Sequence, residues 1–130
     1  MTKNHRKFLA VILTCFWVNA SEFFRNEYLL KSFWVSHFKS LGMIFPAEPI
    51  NGIIWLVWGF LFSVAIYLFS KKYNLLQTAL ISWFVGFVLL WLVTINLNVL
   101  PVPILIYAVP LSLLETFVGS FICFKVSPNP

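Results

Sequence analysis

The sequence predicts an all-α integral membrane protein: an antiparallel four-transmembrane-helix bundle with an amphipathic extracytoplasmic segment between helices 1 and 2. Three observations predict it. Hydrophobic residues make up 61% of the 130 residues and charged residues only 10%, which leaves too little polar surface to cover a water-facing domain. Four apolar runs are each long enough to cross a bilayer as a helix. The Lys and Arg residues gather mostly at the ends of those runs, where they set orientation.

The first run covers residues 8–24 and follows Lys3, Arg6 and Lys7. A basic start, an apolar stretch and Val18-Asn19-Ala20 also fit a cleavable signal. The helical pattern continues past Ala20 and the later topology needs this span, so a retained helix is the reading adopted. Residues 28–45 form no spanning run. Leu30, Phe33, Trp34, Phe38 and Leu41 recur at helical spacing, with Ser32, Ser36, Lys39 and Ser40 largely on the other side, the pattern of a helix lying in the interface or continuing the first helix beyond the lipid.

Pro46 and Pro49 then break the chain, and the second span runs over residues 51–70, stopped by Lys71-Lys72. The third covers residues 75–97 and the fourth 101–124, ended by Lys125. The connections are short, so consecutive spans are antiparallel neighbours. With the N-terminus inside, six Lys and Arg fall inside and Arg25, Lys31 and Lys39 fall outside. The expectation is therefore a single membrane domain with both termini cytoplasmic, in a bacterial inner (cell) membrane.

Small residues mark where helices approach. Thr78, Ser82 and Gly86 repeat every four residues on the third span, and Gly59 and Ser63 do so on the second. On the fourth, Ala108, Ser112, Glu115 and Gly119 share a stripe. Glu115 is the acid inside a span, with no Lys or Arg expected in any span. A bare carboxylate there is costly unless protonated, hydrated, ion-bound or densely hydrogen-bonded. Pro110, one turn earlier, frees the carbonyl of Ile106, and broken helices beside buried acids occur in transporters.

A second polar group collects at the outer ends. Asn19, Glu22 and Asn26 share a face of the first helix, and Arg25 can pair with Glu22 three residues earlier. Glu48 and Asn51 open the second span, and Asn96 and Asn98 close the third. In a bundle these residues would meet around one outward-facing vestibule. The candidate ligand- or ion-binding residues are thus Glu115, Ser112, Glu22, Asn19, Asn51 and Asn96. Trp55, Trp58, Trp83 and Trp91 read as packing residues or interfacial anchors.

Several chemistries lack their residues. The chain has no aspartate, no HExxH, no GxSxG and no CxxC, and neither His5 nor His37 falls in a span. Cys15 and Cys123 lie in apolar runs with no histidine cluster near them, so no metal and no cofactor is expected. The expected partners are the lipid bilayer and another membrane protein or a second copy of the chain, with no nucleic acid. The leading function is binding of a lipid or small apolar ligand, or support of a membrane partner. The alternatives are an ion- or proton-coupled transporter using Glu115 and, third, a membrane enzyme acting on a lipid-like substrate.

Overall fold

A computed structural model describes residues 2–130, which are helical throughout their length apart from short connections, with no strand among them. Helix α1 (Lys3–Phe23) starts at Thr2, whose Oγ1 accepts from the His5 backbone N–H at 3.2 Å. No Pro or Gly occurs before Gly42. The helix therefore runs on through a π-helical turn, Phe24–Leu29. As a unit, Lys3–Leu29 is 27 residues long. It passes the expected end at residue 24 because Arg25 and Asn26, too polar to read as span, turn inward and are buried.

Leu30 separates this unit from α2 (Lys31–Ser40), which is a distinct short helix. Gly42, at φ 73°, turns the chain out of it. Helix α3 (Pro49–Ser70) opens with Pro49 at its first position, where the missing N–H costs nothing. Asn51 Oδ1 accepts from the Glu48 N–H at 2.9 Å. Helix α4 (Leu75–Trp83) is capped reciprocally: Gln77 N–H donates to Asn74 Oδ1 at 2.8 Å and Asn74 N–H to Gln77 Oε1 at 3.2 Å. A second π turn, Phe84–Val88, leads straight into α5 (Leu89–Asn96). Asn98, at φ 60°, reverses the chain. A short 3-10 turn, Val102–Ile104, then feeds α6 (Leu105–Val126).

Four of these units are long and apolar enough to cross a membrane: Lys3–Leu29, Pro49–Ser70, Leu75–Asn96 and Val102–Val126. They pack α1 against α3 and α6, and α4 against α3 and α6. The pairs Thr14–Cys123, Trp17–Glu115 and Arg25–Glu115 run in opposite senses along α1 and α6, so these two are antiparallel.

The interior is made of small polar residues as much as apolar ones. Thr14, Ser63, Thr78, Ser112, Thr116 and Ser120 are all fully buried. Four of these hydroxyls bond to carbonyls of their own helix: Ser63 to Gly59 O and Ser120 to Thr116 O, both at 2.7 Å, and Ser112 to Val109 O and Thr116 to Leu113 O, both at 3.1 Å. Small side chains that satisfy themselves on their own helix let backbones approach without a polar penalty. The outside is the reverse. Phe8, Phe16, Leu92 and Ile106 are each more than two-thirds exposed, a surface suited to hydrocarbon and not to water.

One end of the bundle carries both termini and is closed by the tail. Lys71 Nζ donates to the Ser127 carbonyl and to its Oγ, and Asn129 Nδ2 donates to Ser70 O at 2.9 Å. The other end carries α2, which rests on Leu30, Leu100 and Ile104 through Phe33 and Trp34.

The glycines separate contact from open space. A Cβ on Gly86 would overlap the Phe62 ring, which is held between Trp58 and Phe87. A Cβ on Gly52 would meet nothing within 4 Å. Gly86→Ala is therefore expected to destabilise the purified protein by about 1–3 kcal/mol. Gly52→Ala should stay within about 0.5 kcal/mol of the parent. Unfolding midpoints in mild detergent measure both.

Candidate functional site

Below α2 the bundle holds a cavity of about 710 Å³, partly open at that end. Its floor comes from the end of the first helical unit. Asn19, Glu22 and Asn26 are spaced three and four apart, which stacks them on one face of a helix. The π turn then holds Arg25 on the inside as well: the Leu30 N–H reaches back five residues to Arg25 O at 2.9 Å instead of four. Glu22, Arg25 and Asn26 are each less than a tenth exposed.

Arg25 is the hub. One terminal nitrogen donates to Glu22 Oε1, and the other lies 3.4 Å from Glu115 Oε1 on α6. Its guanidinium also sits 5.1 Å from the centre of the Phe87 ring, within cation–π range. Phe87 belongs to the second π turn. The two π turns thus meet at this residue pair. Asn26 completes the floor: its Nδ2 donates to Glu22 Oε2 at 3.0 Å and to Glu22 O at 3.2 Å, and its Oδ1 accepts from Trp34 Nε1 at 3.1 Å. That last bond ties α2 to the floor it covers.

The walls are aromatic. Trp55 and Trp58 on α3 and Trp91 on α5 line the cavity with Phe87. Phe38 and Phe45 close it from the α2 side, where they meet edge to face at 5.2 Å. At the mouth Lys31 pairs with Glu27 at 2.7 Å, and Glu48 and Asn51 stand on the rim.

The residues singled out from sequence divide. Asn19, Glu22 and Asn51 line the cavity, together with Arg25, Asn26 and Glu48. Asn96 does not: it is exposed at the end of α5, on another side of the helix. Ser112 is buried away from the cavity, where its Oγ accepts from Trp83 Nε1 at 2.9 Å. Glu115 is fully buried behind the floor. It does have a basic neighbour, contrary to the expectation that no span would carry one, because Arg25 lies within the longer first helix. Trp17 Nε1 donates to the Glu115 backbone carbonyl at 2.9 Å, and Glu115 Oε2 accepts no hydrogen bond from any described residue. The cavity walls were not recognisable from sequence, since Trp55, Trp58 and Trp91 carry no signal separating a wall from a membrane anchor.

Among the described residues no group of His, Cys, Asp or Glu is arranged to hold a metal. Cys15 and Cys123 are free thiols, and Cys123 lies 3.4 Å from Thr14 Oγ1.

The buried triad makes unequal demands on its members. Arg25→Met would leave two carboxylates without their cation, at an expected cost of about 3–5 kcal/mol. Glu115→Gln keeps the shape, leaves Glu22 paired with Arg25 and should cost clearly less. Unfolding titrations in detergent rank the two. Comparison with known protein families, with curated proteins and with solved structures gives no match.

Proposed function

We propose that this is an integral membrane protein of four crossings, with both termini cytoplasmic, that binds a membrane amphiphile in the cavity under α2. The observation that carries the reading is the cavity's division into a charged floor and aromatic walls. A volume of about 710 Å³ falls in the range of sites that enclose drug-sized ligands. A head group would meet the polar lining, with Glu22 and Asn26 on the floor and Glu48 on the rim, and a hydrocarbon chain would lie along Trp55, Trp58 and Trp91. The π turns support the same reading, because such turns recur at functional sites and both contribute side chains here. Six basic residues toward the terminal end against three toward the α2 end support the orientation.

Gly52 supplies the test. It lines the cavity, and a Cβ there would meet no atom within 4 Å, so Gly52→Phe is expected to place a ring in the site. The parent protein, purified in mild detergent, is expected to carry an amphiphile detectable by native mass spectrometry. Gly52→Phe should lose most of it at unchanged stability. Equal occupancy in the two proteins would sink the proposal.

One observation favours a second reading, an ion- or proton-coupled carrier. Glu115 is fully buried and its Oε2 has no partner among the described residues, an arrangement in which a proton or cation would find a vacant acceptor. In this reading Glu115→Gln abolishes pH-dependent uptake into vesicles while the protein still folds. Undiminished uptake would remove Glu115 from the mechanism.

A further inference from the structure

We infer that the amphiphile bound in the cavity carries a primary ammonium head group and no net negative charge. The inference rests on the binding reading above and specifies its ligand.

Charge decides first. The lining holds three carboxylates, Glu22, Glu27 and Glu48, against two cations, Arg25 and Lys31. Both cations are already engaged: Arg25 with Glu22 and Glu115, and Lys31 with Glu27. Glu48 has no ion-pair partner among the described residues. An anionic head, such as a phosphate or carboxylate, would find no uncommitted cation. To take Arg25 it would have to strand two buried carboxylates, a change that costs several kcal/mol in comparable buried networks. A cation entering the same space gains a carboxylate without breaking any pair.

Hydrogen bonding points the same way. The amide nitrogens of Asn19 and Asn26 are spent on protein acceptors, Cys15 O for the first and Glu22 for the second. Asn19 Oδ1 lies against Gly59 and accepts no hydrogen bond from the described residues, and the Glu48 carboxylate on the rim takes only the Asn51 backbone N–H of its helix cap. Free acceptors call for a ligand that brings donors, and a primary ammonium brings three. The walls add a third term. Trp58 and Trp91 line the cavity, and an indole attracts a cation and covers a hydrocarbon chain equally well.

Two sources share this chemistry: a free long-chain amine and a lipid whose head ends in a primary ammonium. The test compares dodecylamine, dodecanol and dodecyl phosphate with the purified parent protein at neutral pH, by quenching of tryptophan fluorescence. Dodecylamine is expected to bind about tenfold more tightly than either other probe. Glu48→Gln and Glu22→Gln should each narrow that preference, and Gly52→Phe should remove binding of all three. In nanodiscs, displacement of dodecylamine by phosphatidylethanolamine identifies a lipid source. Lack of displacement identifies a free amine, and the ammonium class stands in both cases. Dodecyl phosphate binding as tightly as dodecylamine would overturn the inference, as would an amine preference unchanged in both Gln variants. If all three probes bind equally and Gly52→Phe still blocks them, the cavity reading survives and the ammonium class falls. If no probe binds in a manner sensitive to Gly52→Phe, the cavity reading itself fails.

Discussion

Arg25 reaches from the first helical unit to the last and finds a carboxylate at each side. Glu22 comes from its own helix and Glu115 from α6. In a low-dielectric interior each of these charges would be expensive alone. Together they hold α1 and α6 in one register, since sliding either helix by a turn would leave ions unpaired. The direct contacts along that seam follow from this register. Thr14 meets Cys123, Trp17 meets the Glu115 carbonyl, and a Cβ on Gly119 would just reach Thr14 of α1 at 3.4 Å. The cavity depends on the same triad. With Arg25 turned inward, the upper part of α1 offers polar groups to the inside, and α3 and α5 answer with aromatic faces and no charges of their own.

Most of the interior is built to let helices come close, and the cavity is where they do not. Gly59 admits Asn19 and Gly86 admits the Phe62 ring, each at a distance no side chain would permit. Around Gly52 the same kind of residue faces empty space. Close packing below and a gap above give the bundle a solid terminal end and a hollow α2 end. Helix α2 has no buried residue of its own. It is held over the hollow by Trp34 on Asn26, by His37 against the Asn98 carbonyl at 2.8 Å, and by aromatic contacts of Trp34 and Phe38 with Phe45.

The helices were legible because long apolar runs bounded by charged residues or by Asn and Pro leave few alternatives. The packing stripe of Ala108, Ser112, Glu115 and Gly119 was legible from its spacing, and all four are in the interior. The end of the first helix was not. Arg25 and Asn26 are polar enough to end a span on paper, and only a partner on another helix makes them interior residues. That partner, Glu115, is 90 positions away, beyond any local pattern. Grouping polar residues by height along the bundle brought Asn19, Glu22 and Asn51 to one place but also swept in Asn96. Height says nothing of direction around a helix, and Asn96 faces outward. The aromatic wall was hidden for a related reason: a tryptophan against lipid and one against a cavity have the same sequence neighbourhood.

The π turn at Phe24–Leu29 has a consequence for how this helix is counted. Each backbone bond there spans five residues instead of four, so the turn holds one residue more than the helix around it requires. A chain shorter by that residue would close into ordinary α-helix without a gap. Everything beyond the closure would then be rotated by about 100° relative to what precedes it. The polar floor and the connection to α2 would no longer face the same side. The position of the cover above the hollow is thus set by a single surplus residue, which serves as a rotational spacer between the first long helix and the segment that follows it.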